Sequence, residues 1–229
     1  MDNVPLNASA FKYSIVFYNK DFEDILAGII VGYYCIIDTK TPIPPNDENT
    51  IRDILLFSYL KKAKFKEAHL PLSNYLFDKE ISENDGRVDI RIMPIKNNYI
   101  DDESYYNIEC KRLDAKNQLG KTGLNGEYIS NGIARFTSKK YTSYKNTAGI
   151  IGFVVEKMDI HKNIENINKL LATGFSELNT TTKLTQKQIV PEFEYSYYSI
   201  HKVNDSSKII YHLMFNFSDN TIASKENLA

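Results

Sequence analysis

A chain of 229 residues that is 42% hydrophobic, 25% charged and 12% aromatic has the balance of one globular domain and not of a disordered tail. Its net charge of −1 excludes a strongly basic nucleic-acid coat protein. Two cysteines, Cys35 and Cys110, cannot build a disulfide framework and stand at no zinc spacing, which favours a reducing, cytoplasmic setting. The mean charge hides a basic block, since residues 111–145 carry +6 and the remainder −7. Such a block attracts a polyanion, or is a solvated loop.

The apolar run ILAGIIVGYYCII at 25–37 is too short to span a membrane and is preceded by Asp21, Glu23 and Asp24, so it reads as the buried part of an N-terminal helix over 20–38. Pro42, Pro44 and Pro45 then break the backbone, and Asn46 or Asp47 can cap a helix to about Lys61. Ile51, Ile54, Leu55 and Tyr59 form its inward stripe, while Glu48 and Arg52 sit one turn apart, where they could pair.

Three strands follow, at about 75–83, 87–94 and 105–111, the first two joined by the turn signal Asn84-Asp85-Gly86. Gly120, Gly123 and Gly126 precede a helix over 127–138 with Ile129, Gly132, Ile133 and Phe136 as its packing stripe and Tyr128, Asn131 and Arg135 opposite. The run AGIIGFVV at 148–155 reads as a buried strand, 159–178 as a helix, and 192–203 with 208–217 as a closing antiparallel hairpin. The order implies an α/β or α+β fold with a mixed sheet flanked by helices.

Chemistry concentrates in GRVDIRIMPIKNNYIDDESYYNIECKRLD, where Asp89 lies on one strand and Glu109-Cys110-Lys111 on the next. Adjacent strands would let Asp89 and Glu109 converge, and period-two geometry puts Glu109 and Lys111 on one face with Cys110 turned inward. Two carboxylates with the neighbouring Cys110 backbone carbonyl make a hard oxygen site suited to Mg²⁺, or Mn²⁺ in its place. A lysine beside it can orient or deprotonate a water and stabilise transition-state charge. The bland alternative is a cross-strand ion pair on a wet strand face.

Through Asp89 and Glu109-Cys110-Lys111 the sequence resembles the PD-(D/E)XK, or restriction-endonuclease-like, nuclease superfamily, over residues 48–155 or so; Val88 stands where the family name has proline. The resemblance implies one nuclease-like domain over 1–229, with a core at about 46–178 and a carboxy-terminal hairpin at 190–217. It implies a metal-dependent endonuclease that cuts phosphodiester bonds, DNA favoured over RNA, in a restriction or phage-defence setting. Asp89 and Glu109 would bind the metal and Lys111 would serve the attacking water. A helix carboxylate often joins such a site, and here Glu48 is the first candidate and Asp53 the second. Five residues, about 140° around a helix axis, separate them, so both cannot face one point.

Tyr128, Asn131, Arg135, Lys139 and Lys140 are the candidate nucleic-acid contacts. No membrane partner is expected, and a homodimer is compatible with the reading. The rival reading is a nuclease-like fold that no longer cuts and serves as a nucleic-acid-binding or protein-interaction module. Tyr195, Tyr197, Tyr198 and Tyr211 either stack bases or pack the hairpin, and the four histidines have no metal spacing.

Overall fold

Apolar residues at helical spacing open the fold. The structure, a computed structural model, describes residues 14–83, 86–95, 105–138, 141 and 144–222. Its first helix, α1, spans Ser14–Asp38, starting earlier than expected. Phe22, Ile25, Leu26, Ile29, Tyr33 and Ile36 form its buried stripe. No helix among the described residues is long and apolar enough to cross a membrane.

The helix α2 (Glu48–Leu55) begins where the Asp47 carboxylate accepts the Thr50 N–H at 3.0 Å. It continues through a wide turn at Leu56–Leu60, which rotates the inward face. Leu56 and Leu60 therefore join Ile51 and Leu55 in the core, while Ile54 and Tyr59 stay half-buried. A short α3 (Ala63–Ala68), absent from the sequence reading, leads to β1 (Tyr75–Glu83). β2 (Gly86–Pro94) pairs with β1 antiparallel, and β3 (Tyr106–Leu113) with β2, as expected. Residues 84 and 85 of the hairpin turn lie outside the described residues.

The next helix starts at Leu124 and runs as α4 (Leu124–Tyr128), a wide turn at Ile129–Ile133 and α5 (Ala134–Thr137). It returns the chain to β4 (Thr147–Val154), buried at every position. The helix α6 (Ile160–Thr173), capped by Asp159, stops five residues short of the expected 178. The chain then forms β5 (Thr180–Gln186), which the sequence reading missed. β6 (Ser196–Val203) and β7 (Ser206–Asn216) make the closing antiparallel hairpin.

All seven strands join one sheet in the order β1-β2-β3-β4-β7-β6-β5, parallel at β3–β4 and β4–β7 and antiparallel elsewhere. The fold is α+β with a mixed sheet flanked by helices. One face packs Ile90, Ile92, Ile108 and Phe215 against α1 and α2; the other packs Leu113, Ile150 and Met214 with Tyr128, Ile133 and Ile167 of α4 to α6. The hairpin tyrosines belong to this packing: Tyr197 and Tyr211 are buried, and Tyr195 and Tyr198 pack on the core.

A buried polar chain crosses the second face. Tyr128 Oη meets His212 Nδ1 at 2.7 Å, His212 Nε2 meets Ser199 Oγ at 2.8 Å, and Ser199 Oγ meets His201 Nε2 at 2.9 Å. These buried groups satisfy one another, which is the condition for keeping them out of water.

Gly126 is fixed by close approach. A Cβ there would lie 2.0 Å from the Lys121 carbonyl oxygen, a backbone atom that cannot rotate away. Gly126→Ala should therefore cost about 1–3 kcal/mol, read as a lower urea midpoint with an unchanged slope. A midpoint equal to that of the wild type would show that the loop gives way freely.

Candidate active site

β2 leaves β3 at one residue. Their pairing runs Ile92↔Tyr106, Arg91↔Asn107 and Ile90↔Ile108 and stops there. On the other side, Glu80 adopts a positive φ of 54° and the Glu80–Asp89 position drops out of an otherwise regular β1–β2 register. The strand rolls over at this point, so Val88 packs on the opposite sheet face from Ile90 and Ile92, against the simple alternation expected for all three.

The edge of β3 that β2 abandons is taken over by carboxylates. Asp89 Oδ2 accepts the Cys110 N–H at 2.7 Å, and Glu48 Oε2 accepts the Arg112 N–H at 2.7 Å. Asp89 and Glu48 thus replace a strand partner while their charges stay beside the Glu109–Lys111 face. This charge-assisted bonding to backbone N–H groups is stronger than a neutral ladder bond.

Lys111 Nζ is the hub. It lies 3.0 Å from Glu48 Oε1, 3.0 Å from Glu109 Oε1, 3.9 Å from Asp89 Oδ2 and 2.6 Å from the Cys110 carbonyl oxygen. Burial lowers the pKa of its ammonium, but Glu109, Glu48 and Asp89 outweigh that and hold it above its ordinary value. Lys111 is therefore a fixed cation. Gly132 in the wide turn of the overlying helix sits against its stem: a Cβ there would be 3.6 Å from Lys111 Cγ.

Glu109 is 1% exposed, with Lys111 and Arg135 Nη1 each 3.0 Å from Oε1. Burial and then the charge of Asp89 raise its pKa to about 8, against the pull of the two cations. Its Oε2 is buried with no hydrogen-bond partner. An orphaned polar oxygen in such a place has either a cost or a use.

Arg52 anchors the acidic groups from behind. It is 1% exposed and donates to Asp53 Oδ1 at 2.9 and 3.0 Å and to Asp89 Oδ1 at 3.2 Å, with Glu80 at 3.4 Å. The expected Glu48–Arg52 pair does not form, because Glu48 turns to β3 and Arg52 into the interior. Asp53 faces Lys79 at 2.6 Å and not Lys111, so Glu48 is the helix carboxylate at the hub.

Of the candidate nucleic-acid contacts, Tyr128 needs revision. Tyr128 is fully buried against His212 and cannot touch a ligand; the wide turn at Ile129–Ile133 breaks the phase that would align it with Asn131 and Arg135. Asn131 is exposed, and Arg135 is half-buried against Glu109. Lys139 and Lys140 lie outside the described residues. Much of the basic block is also spent internally: Lys111 and Arg135 on carboxylates, Lys116 on Glu156, and Arg112 on the Pro45 carbonyl. Sequence reasoning gave Arg52 only a pairing with Glu48 and did not single out Tyr141. Arg52 did carry a signal, an arginine beside Ile51 on an amphipathic helix.

Among the described residues, no three His, Cys, Asp or Glu side chains stand in a group that could hold a metal ion. The donors nevertheless fit a hard divalent cation chemically, through oxygen-only partners and the orphaned Glu109 Oε2. Cys110 is buried with its thiol pKa pushed well up, so its contribution is its carbonyl and not its sulfur. No family model, curated protein or solved structure matches this chain.

The buried ionisable groups set an acid limit. Burial depresses His201 to about 4 and His212 well below its ordinary value. The unfolded chain takes up their protons below about pH 6.5 while the folded chain does not, so each histidine removes about 1.4 kcal/mol per pH unit on acidification. Glu109 acts oppositely: its folded pKa is raised, so its contribution is complete below the unfolded carboxylate pKa and is lost as pH rises through about 8. Two histidines outweigh one carboxylate, so the urea midpoint should fall from pH 6 to 5, and more steeply in Glu109→Gln. A flat profile in both proteins would contradict the histidine burial.

Proposed function

We propose that the chain is a divalent-metal-dependent nuclease, acting on phosphodiester bonds of nucleic acid, DNA in preference to RNA. The observation that carries this is the convergence of Glu48, Asp89 and Glu109, from α2, β2 and β3, on the Lys111 ammonium beside an unpartnered buried carboxylate oxygen. An ordinary surface ion pair has no reason to gather three carboxylates around one cation with Glu109 buried and Asp89 and Glu48 partly so, because such desolvation tends to exceed the Coulombic gain.

Asp89, Glu109, the Cys110 carbonyl and Glu48 would hold Mg²⁺ or Mn²⁺, which when bound polarises the phosphoryl oxygen and lowers the pKa of water. Lys111, held protonated, orients the attacking water and stabilises charge that builds on the phosphoryl oxygens. Glu109 would contribute its unpartnered Oε2 to that donor set. Arg135 fixes Glu109 from the helix side, and Arg52 fixes Asp89 from behind. Asp89, Glu109 and Lys111 lie on strands of the sheet, and Glu48, Arg52 and Arg135 reach them from helices packed on it, which supports a preorganised constellation.

The test is cleavage of plasmid DNA and of RNA by the purified chain with Mg²⁺, Mn²⁺ or chelator, scored for both cutting and retention. Metal-dependent cutting lost in Glu109→Gln supports the reading. Retention without cutting under every metal condition moves the chain to a binding-only role.

A further inference from the structure

Beside the carboxylate cluster lies a cavity of about 310 Å³, lined by Gly86, Ser130, Asn131, Ala134, Arg135, Ser138 and Tyr141. Arg135 connects the two places. It spends Nη1 on Glu109 Oε1, the Tyr141 hydroxyl and, at 3.5 Å, the Arg87 carbonyl, and among the described residues its Nε and Nη2 have no partner. That remaining edge is the fork by which a guanidinium meets two oxygens of one phosphate. Ser130, Asn131 and Ser138 also spend no side-chain hydrogen bond within the described residues. The wall therefore offers a guanidinium edge, two hydroxyls and an amide, with no carboxylate among the described lining residues. Tyr141 is held by its hydroxyl bond to the Arg87 carbonyl at 2.6 Å and backs the cavity as a rigid plate. The volume is at the small end for ligand sites, enough for a phosphate with its attached nucleoside and not for a duplex.

The geometry points to this cavity as a phosphate subsite that seats the nucleotide next to the scissile bond. The proposal rests on the nuclease reading for its place along a substrate, but its test reads binding and not cleavage. A terminal monoester and an internal diester present the same chemistry here, and the assay separates them.

Deoxyadenosine 5′-monophosphate is titrated into the full chain by calorimetry in chelator, with deoxyadenosine as the uncharged control. The monophosphate should bind and the nucleoside should not. Asn131→Asp and, separately, Ser138→Asp place a negative charge in the wall and should weaken binding at least about tenfold, whereas Asn131→Gln should keep it. Both positions are exposed, so unchanged circular dichroism and melting show that the fold is intact. Equal affinity of wild type and both Asp variants, or equal binding of nucleoside and monophosphate, overturns the subsite. In a second arm, 5′-phosphorylated and 5′-hydroxyl oligothymidylates are compared. A preference for the phosphorylated end identifies a terminal monoester as the occupant; equal binding that Asn131→Asp weakens identifies an internal diester. Phosphate binding without cleavage of any nucleic acid would leave the subsite standing and remove the nuclease reading, so the two fail separately.

Discussion

Glu109→Gln, Asp89→Asn and Lys111→Met should each lower nucleic-acid cleavage by about 10²–10⁴ with the fold intact, the range associated with loss of a positioned proton-transfer group. Metal affinity divides them further. The two carboxylate variants should bind Mn²⁺ more weakly. Lys111→Met should bind it more tightly than wild type, because an ammonium now within 3.0 Å of Glu48 and Glu109 no longer competes for their oxygens. Mn²⁺ titration followed by paramagnetic resonance reads this directly. Wild-type cleavage in any of the three variants would remove that residue from the mechanism, and weaker Mn²⁺ binding by Lys111→Met would mean that the ammonium and the metal occupy different places.

Arg52→Met should be the most damaging single change to stability. The side chain is 2% exposed and faces Asp53, Glu80 and Asp89. Removing the cation leaves the poorly solvated Asp89 with Lys111 at 3.9 Å as its cationic partner and takes one partner each from Asp53 and Glu80, at a cost of about 3 kcal/mol. Asp53→Asn, which leaves Arg52 its bonds to Asp89 and Glu80, should cost much less. Urea unfolding distinguishes them, and a loss below about 1 kcal/mol in Arg52→Met would mean that water reaches the cluster freely.

What could be read from the sequence was what depends on period and spacing. Alternation put Glu109 and Lys111 on one face of β3, the continuous apolar run gave β4, and Asn46 or Asp47 marked the start of α2, where Asp47 is the cap. Three features followed from none of these. β5 (TTTKLTQ) is a polar edge strand that buries essentially one residue, Leu184, so it carries little hydrophobic alternation. The wide turns in α2 and the Leu124–Thr137 helix shift phase by a step that a regular 3.6-residue pattern cannot show, which is how Tyr128 moved into the core. Arg52 was read as surface because charged residues usually are; only tertiary pairing with β1 and β2 makes its burial tolerable.

The carboxylates that cover the free edge of β3 also give the Cys110 and Arg112 amide protons an unusual meaning. In an ordinary strand, solvent exchange at such amides reports on opening of the sheet. Here their protection depends on Asp89 and Glu48 staying charged and in place. Anything that draws those carboxylates away, such as a cation, a phosphate or a neutralising substitution, would speed deuterium uptake at two backbone positions while the amides of β4 stayed protected, so these two protons record occupancy of the site without any substrate being turned over.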